Sequence, residues 1–175
     1  GCWEISFGLE SGSEALLQQM DKSASLAKSR EALQWTHQAG IRSKGLFMLG
    51  YPGENHDTIA QTKAFLKEVP LTIMNLTKFT PYPGSPIYRD LYGTNIRDDH
   101  WEKMNGMNFL WTPEALTQEE LDTNYRQVLM SFYQTPRISW YYTKFTLRHP
   151  QHLFRLITFL GLMVKAKVRD KLQAV

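Results

Sequence analysis

The chain has 175 residues, a length for one domain or a domain with an appendage, and its 42% hydrophobic and 13% aromatic content can build a core, which excludes global disorder. Twenty Lys and Arg against 17 Asp and Glu leave a net charge of +3, too small to argue for a nucleic-acid partner. A single cysteine, Cys2, excludes an internal disulfide framework and a self-contained cysteine-ligated metal site, and it fits a reducing, cytoplasmic compartment.

The first stretch, Glu4-Ile-Ser-Phe-Gly-Leu-Glu-Ser-Gly-Ser13, alternates Ile5, Phe7 and Leu9 with Glu4, Ser6 and Gly8, the two-residue period of a strand with two distinct faces. The alternation stops at Glu10, and Ser11 with Glu14 reads as a capping box opening a helix through Leu16, Leu17 and Met20. A carboxylate and two hydroxyls therefore stand at the C-terminal end of a strand, the edge where α/β folds bind ligands. Gly8 and Gly12 keep those surroundings small enough for close approach to the backbone. The chain starts at Gly1-Cys2, directly ahead of this strand and without an initiator methionine, so we expect a piece of a longer polypeptide.

A second helix is predicted from Ser25 to Ala39, with Leu26, Leu33 and Thr36 on its buried stripe and Gly40-Ile41 as its stop. Arg42 to Gly50 reads as a second strand, and the continuous apolar run Leu46-Phe-Met-Leu49 predicts burial on both faces. It ends in the sharp turn Tyr51-Pro-Gly-Glu54, where Glu54 fixes the loop or caps the next helix. Asp57 is expected to cap that helix, which buries Ile59, Thr62, Phe65, Leu66 and Val69 and stops at Pro70. A third strand runs from about Leu71 to Phe79 and closes in Thr80-Pro-Tyr-Pro-Gly-Ser85. Three strands alternating with helices argue for parallel βα repeats, and one ligand site shared by three neighbouring loops would explain their similar ends.

Past about Leu91 the pattern changes. Trp101, Met104, Met107, Phe109 and Trp111 fill a segment without clear period. Thr117 and Glu120 form a second capping box, starting a helix with Leu121, Tyr125, Val128, Leu129 and Phe132 on one face. Pro136 breaks the chain before an aromatic helix over Ile138 to Leu147, and Pro150 breaks it again before a last, basic amphipathic helix.

Taken together, the strand ends resemble the radical S-adenosylmethionine enzymes, in particular the class that carries a cobalamin-binding domain ahead of the radical domain and includes the anaerobic magnesium-protoporphyrin ester cyclase and hopanoid-pathway enzymes. Gly8-Leu-Glu-Ser-Gly-Ser13 is similar to the fourth-strand motif of that class, Phe47-Met-Leu-Gly-Tyr-Pro-Gly-Glu54 to its fifth, and Phe79-Thr-Pro-Tyr-Pro-Gly-Ser-Pro86 to its sixth. The resemblance implies an α/β fold in which residues 1–92 are the second half, strands four to six, of a partial (β/α)6 barrel. Residues 93–175 would follow as an all-α cap.

It also implies roles. Glu10 would hold the amino group or ribose hydroxyls of S-adenosylmethionine, supported by Ser11 and Ser13, although helix capping alone accounts for either serine. Lys22 matches a basic residue that the family uses for the methionine carboxylate, and equally suits a solvated surface. Met48, Gly50 and Pro52, with Phe79 and Pro81, would line the adenine pocket, and they also suit a core. The family's Cys-x3-Cys-x2-Cys loop is absent, so the ligands of the [4Fe-4S] cluster would lie outside this chain, as would the first half of the barrel and any cobalamin domain. The isolated chain should then be inactive. No residue is singled out as a catalytic acid or base, and none as a metal ligand. Trp101, Phe109, Trp111 and Trp140 suit a bulky apolar or planar substrate, or a plain core.

Three other readings stay open. Arg148 to Val175 holds six basic residues and one Asp, and its apolar stretch Leu156 to Val164 is too short to span a bilayer, so peripheral contact with anionic lipid is one expectation and a non-catalytic binding module another. A βα enzyme with a phosphate or sugar ligand is the third, but the chain has no Gly-rich phosphate loop and no hydrolytic triad.

Overall fold

The computed structural model describes residues 1–23, 25–93, 98–148 and 151; the expected last helix lies outside them. Three strands, β1 (Glu4–Glu10), β2 (Arg42–Leu49) and β3 (Ile73–Lys78), form one parallel sheet in the order β1-β2-β3. Two helices, α1 (Glu14–Gln19) and α2 (Leu26–Gln38), connect β1 to β2, and α3 (His56–Glu68) connects β2 to β3. After β3 come α4 (Pro86–Tyr92), a 3-10 turn (Asp98–Lys103), α5 (Gln118–Tyr133) and α6 (Pro136–Arg148). The expected α/β class with parallel strands is what forms. The chain divides into a unit of Gly1–Tyr133, which holds the sheet and α1–α5, and a unit of Gln134–Val175, of which α6 is the main described part.

The period-two pattern of β2 decides which face is buried. Ser43, Gly45, Phe47 and Leu49 are buried, whereas Arg42, Lys44, Leu46 and Met48 are only half-buried. Phe47 meets Phe65 of α3 edge to face, with ring centroids 6.4 Å apart, and Leu9, Leu33, Ile59, Leu66, Met74 and Leu76 complete this core. The expected two-sided burial of Leu46–Leu49 is therefore met on one face only. The described helices cover that face, and nothing in the local sequence distinguishes one covered face from two.

The outer edge of β3 is closed by side chains and loop. Tyr125 and Tyr133 of α5 donate their hydroxyls to the carbonyls of Leu76 and Met74 at 2.9 and 2.8 Å, and Lys78 N–H donates to Gly106 O at 2.7 Å. An edge so occupied cannot pair with another strand.

The caps differ from expectation at two places. Asn55, not Asp57, caps α3: its Oδ1 accepts from the amides of Asp57 and Thr58, while Thr58 Oγ1 accepts from Asn55 N–H, a complete capping box. At α1 the N-cap is Ser13 and the Ser11–Glu14 box does not form. Ser11 Oγ instead accepts from Ser13 N–H at 3.1 Å, and Glu14 accepts from Leu26 N–H at 3.0 Å, so both side chains serve tertiary or turn contacts. The Thr117–Glu120 box forms as expected, and so does the break at Pro136: α5 ends at Tyr133 and Pro136 opens the first turn of α6.

Candidate functional site

The C-terminal end of β1 carries the local distortion on which the site is built. A register shift falls between Gly8 and Glu10. Ser11 N–H closes a three-residue γ-turn onto Leu9 O at 2.7 Å, and Glu10 in its middle has φ 61°, a conformation that side-chain-bearing residues seldom adopt. The turn is held down by α3. Gly12 N–H donates to Thr62 Oγ1 at 3.0 Å, and Ser11 Oγ lies 3.3 Å from the same hydroxyl. A Cβ on Gly12 would sit 2.5 Å from Thr62 Cα, so only glycine lets the turn approach the helix this closely.

Opposite Glu10 stands Lys22, placed by the end of α1. Lys22 N–H bonds to Leu17 O and Asp21 N–H to Gln18 O, a Schellman motif in which Asp21 occupies the left-handed position with φ 52°. The result is an ion pair, Lys22 Nζ to Glu10 Oε1 at 2.8 Å, lying across Gly8. A Cβ there would come within 2.9 Å of Glu10 Oε1 and 3.4 Å of Lys22 Nζ.

Beside this pair runs a groove of about 550 Å³ at the ends of all three strands, within the size range of small-molecule sites. Glu10 and Lys22 form one wall; Met48, Tyr51 and Phe79 form an apolar wall, with Tyr51 and Phe79 edge to face at 5.1 Å. Ile87 and Asp90 of α4 close it. Four residues singled out from the sequence, Glu10, Lys22, Met48 and Phe79, thus meet around one cavity. The other five lie apart from its lining. Ser11 and Ser13 are buried behind the turn. Gly50 is buried against the Phe109 ring, Pro81 is buried, and Pro52 lines a neighbouring groove with Glu54, Trp111 and Pro113.

The lining also contains Gln19, Met20, Asp21, Tyr51, Ile87 and Asp90, which sequence reasoning did not single out. For α4 a signal was present: Ser85 followed by Pro86 is a helix start, and Ser85 Oγ does accept from Tyr88 N–H. Ile87 and Asp90 then fall three apart on one face.

The turn between β2 and α3 rests on Glu54, which is 1% exposed. Glu54 accepts from the Gly50 amide, and its own N–H donates to Tyr51 O at 2.9 Å. Burial raises its pKa from 4.5 to about 7, opposed by hydrogen bonds from the Gly50 and Tyr51 amides. Burial, and then the Asp90 carboxylate, push the Tyr51 phenol up as well. Glu54 therefore fixes the loop, while Asn55 does the capping. Chemically the groove offers three carboxylate acceptors, Glu10, Asp21 and Asp90, one ammonium donor, Lys22, and an aromatic wall, a set that can take a ligand with charges of both signs and a flat apolar part. Among the described residues no group of three or more His, Cys, Asp or Glu could hold a metal ion, and Cys2 is exposed ahead of β1, at the other end of that strand from Glu10.

No family model matches the chain. It is similar to an uncharacterized methyltransferase of Pyrococcus horikoshii, at 26% identity over 139 residues, 79% of this chain and 30% of that protein. Two anaerobic magnesium-protoporphyrin IX monomethyl ester cyclases also match: that of Rubrivivax gelatinosus at 25% over 142 residues (78% of this chain, 25% of the cyclase), and that of Cereibacter sphaeroides at 26% over 134 residues (74% and 22%). The chain spans less than a third of the length of each of these relatives. Its homologues therefore include a methyltransferase and the anaerobic magnesium-protoporphyrin ester cyclases, the class that its strand-end motifs resemble.

Proposed function

We propose that this chain is the C-terminal part of a radical S-adenosylmethionine enzyme, acting in methylation, cyclisation or related chemistry on a bulky apolar or planar small molecule. In this reading β1, β2 and β3 are strands four to six of a partial (β/α)6 barrel whose first half lies outside the chain. The observation that carries the proposal is the Glu10–Lys22 pair on the rim of an aromatic-walled groove at three parallel strand ends.

The donor set fits the cofactor. Lys22 would donate to the methionine carboxylate and Glu10 would accept from the ammonium or ribose hydroxyls, so the pair opens as the ligand replaces each partner with a like group. The Lys22 side chain is 39% exposed, and a pair this solvated is worth about 1 kcal/mol or less, a small cost for the ligand to overcome. Met48, Tyr51 and Phe79 would pack on the adenine and exclude water from it. With one electron from a [4Fe-4S] cluster held by segments outside the chain, bound S-adenosylmethionine would give methionine and a hydrogen-abstracting 5′-deoxyadenosyl radical.

A [4Fe-4S] cluster does not fit the residues present, since Cys2 alone cannot supply three thiolates. Its ligands, like any cobalamin site, belong to segments outside the chain, and the chain in isolation would be inactive. The test is made in the longer protein that contains this chain, with its cluster reconstituted. Glu10→Gln and Lys22→Ala should each lower 5′-deoxyadenosine formation at least tenfold, with far-UV circular dichroism unchanged; wild-type rates from both would overturn the assignment.

A further inference from the structure

Charge is divided unevenly along the chain. Residues 1–133 hold twelve Lys and Arg and sixteen Asp and Glu, net −4, whereas residues 134–175 hold eight and one, net +7. No Asp or Glu occurs between Asp122 and Asp170. The boundary of this charge step coincides with the boundary between the two compact units. A segment so depleted of acidic residues is electrostatically complementary to a negatively charged surface.

Helix α6 gives that segment a defined face. Trp140 and Leu147 are 59% and 75% exposed, and Lys144 and Arg148 are exposed with them. The spacings 140, 144 and 147, and 144 to 148, put these four side chains on one side of the helix. Lys144 Nζ sits 5.0 Å from the Trp140 ring centroid. Large apolar groups standing in water next to cations are costly for a soluble helix and favourable at a lipid headgroup boundary. There Trp and Leu enter the acyl edge, and Lys and Arg stay with the phosphates. At thirteen residues α6 is about 20 Å long, so it would lie in the interface and not cross it.

We propose that α6 docks on the surface of a membrane containing anionic phospholipid, with Trp140 and Leu147 inserted and Lys144 and Arg148 against headgroup phosphates. The sequence after α6 supports the same partner, because residues 153–164 contain Leu153, Phe154, Leu156, Phe159 and Leu160 without an acidic group; those residues lie outside the described ones. Nucleic acid is the rival anionic partner, and an exposed Leu beside the Trp favours lipid over a phosphate backbone. The proposal is independent of the chemistry assigned to the strand-end groove.

The test is co-sedimentation of the longer protein that contains this chain with phosphatidylcholine vesicles, with and without about one-third phosphatidylglycerol. The wild type should pellet with the anionic vesicles only, and less at high salt. Trp140→Ala with Leu147→Ala should lower partitioning at least tenfold, and so should Lys144→Glu with Arg148→Glu. All four side chains are exposed, and thermal unfolding midpoints matching the wild type would show that the helix is intact. Wild-type protein left in the supernatant, equal binding to neutral vesicles, or both double variants pelleting like wild type would each overturn the proposal. So would retention on RNA or duplex DNA that these substitutions abolish while vesicle binding persists.

Discussion

Glu54 makes the stability of this fold depend on pH in an unusual direction. Its pKa is about 7 in the folded chain against an ordinary 4.5, because burial disfavours the charged carboxylate more than the Gly50 and Tyr51 amides favour it. The folded state therefore binds a proton more tightly than the unfolded state. The stability contribution is fully present below pH 4.5, declines as pH rises, and is gone once pH passes the folded pKa near 7. A displacement of two and a half pKa units corresponds to about 3 kcal/mol at most. Glu54→Gln keeps a carbonyl acceptor in the turn but is neutral throughout, so it should lack this decline. Urea unfolding of both proteins at half-unit steps from pH 4.5 to 7.5 measures the difference, in which the other carboxylates cancel. With a urea slope of about 2 kcal/mol/M, the midpoint of the wild type should fall relative to that of the variant by about 1–1.5 M across this window. Parallel pH profiles for the two proteins would refute the reasoning.

Other substitutions test the supports of the site. Gly12→Ala forces a methyl to within 2.5 Å of the α3 backbone and should cost about 2–3 kcal/mol by the same unfolding assay. Asp21→Gly relieves a left-handed aspartate at the end of α1 and should raise stability by about 0.5–1 kcal/mol; a loss would mean that the Asp21 side chain supports the turn. Tyr125→Phe and Tyr133→Phe each remove a hydroxyl from the β3 edge and should cost about 1 kcal/mol apiece, with light scattering rising in the double variant as the edge is freed.

The strands and long helices were legible because each βα unit writes its period locally: Ile5, Phe7 and Leu9 alternate, and Leu33 with Thr36 marks the inner side of α2. Gly40 announced its Schellman turn, with φ 70° and Ile41 N–H bonded to Thr36 O. The identical motif at Asp21 carried no glycine to announce it, and so the feature that aims Lys22 at Glu10 was hidden. The Ser11–Glu14 box was misread because its partners lie elsewhere: Thr62, 51 residues away, for Ser11, and Leu26 for Glu14. A local spacing cannot report such competition. Likewise, Gly12 stood out as small, but the sequence could not say that what approaches it is α3. Tyr51, Ile87 and Asp90 join the groove only through tertiary placement of three strand ends.

The central claim, that S-adenosylmethionine sits at the Glu10–Lys22 pair with its carboxylate on Lys22, is tested most directly by a binding cycle. Calorimetric titration of the longer, cluster-loaded protein and its Lys22→Ala variant would compare S-adenosylmethionine with its decarboxylated analogue. A carboxylate held by Lys22 predicts that decarboxylation weakens binding at least tenfold in the wild type and much less in the variant, the coupling expected of a charge-assisted pair. Equal loss in both proteins would contradict the assignment of Lys22 and, with it, the placement of the ligand in this groove.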